Sequence, residues 1–271
     1  MVKIEVDGHE PTREELQDAA LNTYGHFTAM QVRGGRTRGL DLHLARLDEA
    51  NRELFGAELG GERVRSLIRH ALEGWSGDDG SGDGNASGRG DASVRVIVRA
   101  AGEGPGVRVF VTVRPPFDMP HDASQRLKSV RYLRAVPHIK RPGDFGQGYF
   151  IDRAADAGYD DALLVADDGT VAEAGVANIA FFDGGGVIWP DAPVLAGTTM
   201  QVVAPRLAEY GMPSRTARVT LKDLAGFAGA CVTNSRGIAA VSRIDDLDLP
   251  IAAEFVKAMN AAYDSAPWDE I

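Results

Sequence analysis

Ala162-Leu163-Leu164-Val165, then Asp167-Asp168-Gly169, then Thr170-Val171-Ala172-Glu173-Ala174-Gly175-Val176-Ala177-Asn178-Ile179: on this stretch the fold of the chain turns. The first run is apolar, too short for a stable helix, and rich in residues that fit a pleated surface. An Asp-Gly pair follows it, and Asp-Gly between apolar runs is a strong hairpin signal. The pattern repeats at once: residues 178–182 lead to Asp183-Gly184-Gly185, and Val187-Ile188-Trp189 ends at Pro190. The spacing predicts a series of short strands joined by tight turns. Taken alone, Glu173 reads as an exposed strand carboxylate.

The flanks predict helices. Residues 149–158 read as a helix closed by Gly158, preceded by a strand over 128–134. Further helices are predicted over 199–210 and 221–227, and a last one over 251–265. Towards the N-terminus, Thr12 with Glu15 three positions later has capping-box spacing and opens a helix over 12–22. A strand over 27–33, Gly34-Gly35 and a second arm over 37–40 predict a hairpin. Leu40, Leu44, Leu47, Ala50 and Leu54 recur at three and four residues, the stripe of an amphipathic helix over 40–55. Another helix is expected over 62–75, and strands over 93–100 and 107–113. The Gly-, Asp- and Ser-rich stretch 76–90 reads as a surface loop; a calcium loop would need a glutamate where Gly90 stands. Arg114-Pro115-Pro116 through Pro120 suits a connection, since proline cannot continue a ladder. The pattern predicts two α+β domains: residues 1–115, a connection over 116–122, and residues 123–271.

With a net charge of −10, the 271-residue chain is poorly suited to nucleic acid or an anionic membrane. No apolar run approaches the length of a membrane span, and Met1-Val2-Lys3-Ile4-Glu5 lacks the apolar core of a signal peptide. Cytoplasm is the expected location. The single cysteine, Cys231, excludes an intramolecular disulfide and multi-thiolate metal sites, and its apolar neighbours mark it as a packing residue; no metal site is expected. The chain holds five lysines: Lys3, Lys128, Lys140, Lys222 and Lys257. Lys3 is close to a terminus, Lys257 falls in the last helix, and Lys128 and Lys222 read as solvated charges. By elimination Lys140, between Pro137-His138-Ile139 and a helix, is the best amine nucleophile.

Four constellations occur in the order and spacing of one family. His43-Leu44-Ala45-Arg46-Leu47 is similar to H-x-x-R-L. Pro137-His138-Ile139-Lys140 carries the lysine. Glu173 to Ile179 resembles E-x-x-x-x-N-I-F, with Glu173 standing 33 residues after Lys140. Leu195-Ala196-Gly197-Thr198-Thr199-Met200 is similar to L-x-G-I-T-R. From Tyr24 to Ile244 the chain thus resembles the class IV aminotransferases, the fold type IV enzymes of pyridoxal phosphate (PLP). These include branched-chain and D-amino acid aminotransferases and 4-amino-4-deoxychorismate lyases. The resemblance implies a small N-terminal α/β domain, a larger C-terminal domain with a β-barrel-like sheet core, and a homodimer. It implies a PLP Schiff base on Lys140, the phosphate on Arg46, and Glu173 against the pyridine nitrogen. Asn178, Gly197, Thr198, Thr199 and Ser235 complete the implied cofactor site. Ser235 belongs to Thr233-Asn234-Ser235-Arg236-Gly237-Ile238, whose Asn-Ser form is closer to the lyases.

Substrate contacts implied in the same way are Tyr24, Thr28, Arg95 and Arg99. Phe27-Thr28-Ala29 resembles the lyase sequence. Arg95 and Arg99 share one face of a strand, because the strand period is two. Met200 stands where the family has arginine, and Phe145 where many members have a tyrosine; Tyr149, one helical turn on, is a candidate replacement. The implied reaction is amino transfer from an amino acid to a 2-oxo acid. Release of pyruvate from aminodeoxychorismate is the alternative, and a PLP-binding protein without turnover a third.

Overall fold

The computed structural model of the chain describes residues 2–75, 90–102, 106–117 and 119–271. All of the predicted loop 76–90 except Gly90 lies outside the described residues. Contacts divide the chain into two compact units. One comprises Met1–Phe117, Ile139–Gly143 and Pro267–Ile271; the other Asp118–His138 and Asp144–Ala266. Lys140 therefore groups with the first unit, although it lies beyond the Pro-rich connection in sequence.

The first unit runs β1 (Lys3–Val6), α1 (Arg13–Leu21), β2 (Gly25–Val32), β3 (Arg36–Thr37), α2 (Leu40–Phe55), α3 (Gly61–Leu72), β4 (Ala92–Ala100) and β5 (Val107–Arg114). Thr12 caps α1 in the predicted capping box, accepting from the Glu15 N–H while the Glu15 carboxylate accepts from the Thr12 N–H. Four antiparallel strands form a sheet in the order β1-β5-β4-β2. Alternation decides its faces. Val94, Val96 and Val98 of β4 are buried, and they join Val64, Ile68 and Leu72 of α3 and Leu40 and Leu47 of α2 in one core. On edge strand β2 the buried positions His26, Thr28, Met30 and Val32 alternate with the partly exposed Phe27, Ala29 and Gln31. The predicted hairpin after β2 is shorter than expected. Arg33 and Arg36 exchange both backbone hydrogen bonds, but the second arm ends at Thr37 because the chain turns into α2 at Leu40.

The second unit holds β6 (Ser124–Arg131), α4 (Phe145–Asp156), β7 (Asp161–Val165), β8 (Val171–Ala174), β9 (Asn178–Phe182), β10 (Val187–Pro190), α5 (Thr198–Val203), β11 (Ser214–Ala217), β12 (Gly229–Asn234), β13 (Gly237–Ile244), β14 (Leu247–Asp248) and α6 (Ala253–Asp264). The chain then returns to the first unit, where β15 (Asp269–Glu270) pairs with β3. Eight strands of the second unit lie in the order β11-β10-β9-β12-β13-β6-β7-β8, with β14 beside β13. The sheet curls as a half-barrel. β7–β8 and β9–β10 are the predicted antiparallel pairs. β8 and β9, though consecutive, are not ladder neighbours. The turn between them, closed by the Ala174 N–H on the Ala177 carbonyl at 2.8 Å, carries the chain from one edge of the sheet to its inner strands.

Several boundaries differ from the sequence reading. The helix predicted over 199–210 is α5 followed by a 3-10 segment, Ala204–Tyr210, because Pro205 removes a donor and tightens the chain there. Residues 221–227 hold only a short 3-10 turn, Leu224–Gly226, whose Leu224 alone is buried; one apolar anchor does not sustain a helix. The α4 helix starts at Phe145, earlier than predicted, because Asp144 caps it by accepting from the Gln147 N–H. Strand β6 ends at Arg131, short of Arg134. Among the described residues no helix is long and apolar enough to cross a membrane.

Phe181 is fully buried and stacks on Phe227 with ring centroids 4.8 Å apart. Phe181→Ala is expected to lower unfolding free energy in urea by about 3–5 kcal/mol, through lost transfer energy plus the cavity left behind.

Candidate active site

The functional residues form two clusters, one in each unit. In the first unit, His43 and Arg46 stand three apart on α2 and so share a helix face, turned to the buried side of β2. Thr28, completely buried on β2, meets both. Its hydroxyl lies 2.6 Å from His43 Nδ1 and accepts a hydrogen bond from Arg46 Nη2. Arg46 Nη2 is also 3.4 Å from the same His43 nitrogen. The guanidinium has donors only, so Nδ1 is the acceptor and the imidazole proton sits on Nε2. Burial holds His43 well below its ordinary pKa, and the charges of Arg46 and Lys140 push it the same way. The imidazole is neutral.

Burial also brings Arg46 down to about 10, which leaves it charged at neutral pH. Its Nε is buried with no hydrogen-bond partner, and no carboxylate faces it among the described residues. Lys140 belongs to the same unit. Its carbonyl accepts the Phe27 N–H at 2.9 Å on the free edge of β2, and its Nζ lies 4.8 Å from the centre of the Phe27 ring. The Arg95 guanidinium lies 4.9 Å from that ring too. The four other lysines are placed differently. Lys3 is held by the carbonyls of Ala71 and Glu73 and by Glu5, Lys128 is paired with Asp245, and Lys222 and Lys257 are exposed.

Two implied substrate residues have local tasks. Arg99 donates to the carbonyls of Ala19 and Asn22 at the end of α1, satisfying acceptors that the helix leaves open. Tyr24 is exposed and sits edge-on to Phe55 at 5.9 Å.

In the second unit, Glu173 on β8 is 5% exposed. Its Oε1 accepts from Arg134 Nε at 2.8 Å, and its Oε2 from the Leu195 N–H at 3.3 Å. The expectation of an exposed strand carboxylate, drawn from Glu173 alone, is thus overturned. Five residues on, Asn178 donates to the Leu195 carbonyl at 2.7 Å. A Cβ on Gly197 would lie 2.0 Å from Asn178 Oδ1, so only glycine fits. Asn178 is also registered opposite Thr233 on β12, and the next carbonyl, of Asn234, accepts the Thr199 hydroxyl at 2.7 Å. Three separate motifs, 173–178, 195–199 and 233–235, therefore converge, with Ser235 in the turn that follows β12 and Thr198 buried at the start of α5. Phe145 and Tyr149, on α4, are exposed and stack on each other at 6.1 Å.

Sequence reasoning missed three participants. Arg134, 7% exposed, compensates Glu173 and donates to the Pro137 carbonyl at 2.6 Å. Asp161, on β7, accepts the Ala162 and Val176 N–H groups at 2.8 and 3.3 Å, and burial pushes its carboxyl up to about 6. Gln147 donates to the Gly175 carbonyl from α4. Asp161 and Gln147 thus grip the turn between Glu173 and Asn178 from two sides. None of the three has a sequence signal, since each is marked only by its contacts. Cys231 is fully buried in β12 and burial raises its thiol pKa, in keeping with a packing residue.

Comparisons with known proteins give the family and the fold. The model of the family described as amino-transferase class IV matches residues 25–244. Among solved structures, a fold IV transaminase from Curtobacterium pusillum superposes with a TM-score of 0.78 at 22% identity, covering 92% of this chain and 89% of that one. A hypothetical aminotransferase from Mycobacterium tuberculosis, in its PLP-bound form, gives 0.78 at 21% identity over 97% and 99% of the two chains. The branched-chain aminotransferase of Thermoproteus uzoniensis, solved with norvaline, gives 0.77 at 18% over 97% and 93%. At such identities the likeness is one of fold. A search of curated proteins finds no match.

Removing Arg134 leaves the Glu173 charge buried without its counter-ion. Arg134→Met is expected to cost about 3–5 kcal/mol of stability, measured by urea unfolding, while the double variant Arg134→Met/Glu173→Leu recovers most of it. Equal losses in the two variants would show that the pair is not coupled.

Proposed function

The chain belongs to the amino-transferase class IV family, and on that premise we propose that it is a PLP-dependent transaminase moving the amino group of an amino acid to a 2-oxo acid. The observation that carries the reading is the setting of Lys140. Of five lysines it alone shares a cluster with a partly buried guanidinium that no carboxylate neutralises among the described residues. The residue types in each cluster suit PLP. By resemblance to the family, Lys140 would offer an amine to its aldehyde, Arg46 a planar cation to its phosphate dianion, and Glu173 a carboxylate to its pyridine nitrogen. Gly197, Thr198, Thr199 and Ser235 are the further residues we assign to the phosphate by resemblance to the family, with Asn178 holding the loop before Gly197.

When bound, PLP supplies an electron sink for the pair left on the substrate Cα. Lys140 Nζ holds the cofactor at rest and takes the Cα proton during turnover. Glu173, oriented by Arg134 and the Leu195 N–H, keeps the ring nitrogen protonated. Arg95, exposed beside Phe27, is the residue we assign to a substrate carboxylate. Action as a homodimer in the cytoplasm goes with the reading.

Two features favour aminodeoxychorismate lyase as the second reading: the Asn234-Ser235 form and Phe27-Thr28-Ala29. Spectral titration separates them. A transaminase incubated with a single L- or D-amino acid, without 2-oxo acid, is expected to lose the visible absorption of the bound cofactor and release one equivalent of keto acid. Pyruvate formed from aminodeoxychorismate without an acceptor would overturn the transaminase reading in favour of the lyase. No response to either substrate would leave a binding protein without turnover.

A further inference from the structure

Thr28 stands where family resemblance implies a substrate contact, yet its side chain turns towards α2 and is completely buried. Its hydroxyl has two neighbours with opposite requirements. Arg46 Nη2 is a pure donor, so the Thr28 oxygen accepts from it. His43 Nδ1, 2.6 Å away, is an acceptor, because the Arg46 guanidinium approaches the same atom. The Thr28 proton therefore points at His43. A chain of hydrogen bonds runs from Arg46 through Thr28 to a neutral imidazole, and it leaves Arg46 Nε as the buried donor still without a partner. A second cation at His43 would break this chain, since a protonated Nδ1 has no lone pair to accept with. It would also place three positive charges, on His43, Arg46 and Lys140, in one cluster.

We propose that Thr28 is a positioning residue for the anion held by Arg46: linked to neutral His43, it fixes the guanidinium so that its free donor meets the phosphate of the cofactor. The inference rests on the reading of the chain as a PLP protein. A valine at position 28 keeps the shape and the β-branched backbone preference while deleting the link; a serine keeps the link.

The test is binding of PLP and of pyridoxal, which lacks the phosphate, to the apo protein, followed by absorbance and by intrinsic fluorescence. Thr28→Val is expected to weaken PLP binding about tenfold, the scale of one lost hydrogen bond to a charged group, with pyridoxal binding unchanged. Thr28→Ser should bind PLP as the unaltered protein does. Thermal unfolding of each variant checks that the fold is retained. Wild-type affinity for PLP in a folded Thr28→Val variant overturns the inference alone. So does an equal loss for PLP and pyridoxal, which marks Thr28 as a wall of the pocket rather than a support for Arg46. An unaltered protein that binds neither compound removes the PLP reading itself, and the inference with it.

Discussion

Arg46 is a partly buried, largely desolvated cation given a hydroxyl and an imidazole lone pair in place of a carboxylate. A cation so placed loses part of its hydration, which an arriving anion would offset. The buried Arg134 is paired with Glu173, and Arg99 donates to two backbone carbonyls. Arg46 has only the Thr28 hydroxyl and the His43 imidazole among the described residues, and its buried Nε is open to a ligand. A phosphate dianion suits it, because it would bring two negative charges to a cluster that holds the Arg46 and Lys140 cations. Around this constraint the first unit is organised. Helix α2 has to lie against edge strand β2, and His43 has to stay neutral. The free edge of β2 is then left to receive the backbone of Lys140.

The second unit solves the opposite problem, a buried carboxylate. Glu173 lies on an edge strand, where a charged side chain would ordinarily face water. It is nonetheless buried, and Arg134 and the Leu195 N–H supply what solvent would have supplied. Its position depends on the β8–β9 turn, gripped by Asp161 on one side and Gln147 on the other. The raised pKa of Asp161 is a consequence of that burial, opposed by the two backbone N–H groups the carboxylate accepts.

Much of this was legible in the sequence, and the division follows physical lines. The capping box at Thr12, the heptad-like stripe of α2 and the Asp-Gly turns predicted their elements well, because each is a local preference written within a few residues. Helix 221–227 failed for want of burial, which is a tertiary quantity. The motifs named the residues of both clusters, since Lys140, Arg46, Glu173 and Asn178 stand at family spacings. Motif spacing says nothing of what a side chain leans on. Arg134, Asp161 and Gln147 were invisible for that reason, and Thr28 and Arg99 drew substrate roles that their hydrogen bonds do not suggest. Distance along the chain misleads in the same way: Lys140 follows the Pro-rich connection, yet it packs with the unit that precedes it.

Attachment of the cofactor to Lys140 is the claim on which the functional reading stands. Borohydride reduction of the PLP-loaded protein, followed by digestion and mass spectrometry of the peptides, tests it directly. The pyridoxyl label is expected on the peptide containing Lys140 and on no other. Label on Lys3, Lys128, Lys222 or Lys257, or a protein that takes up no label after loading, would contradict it.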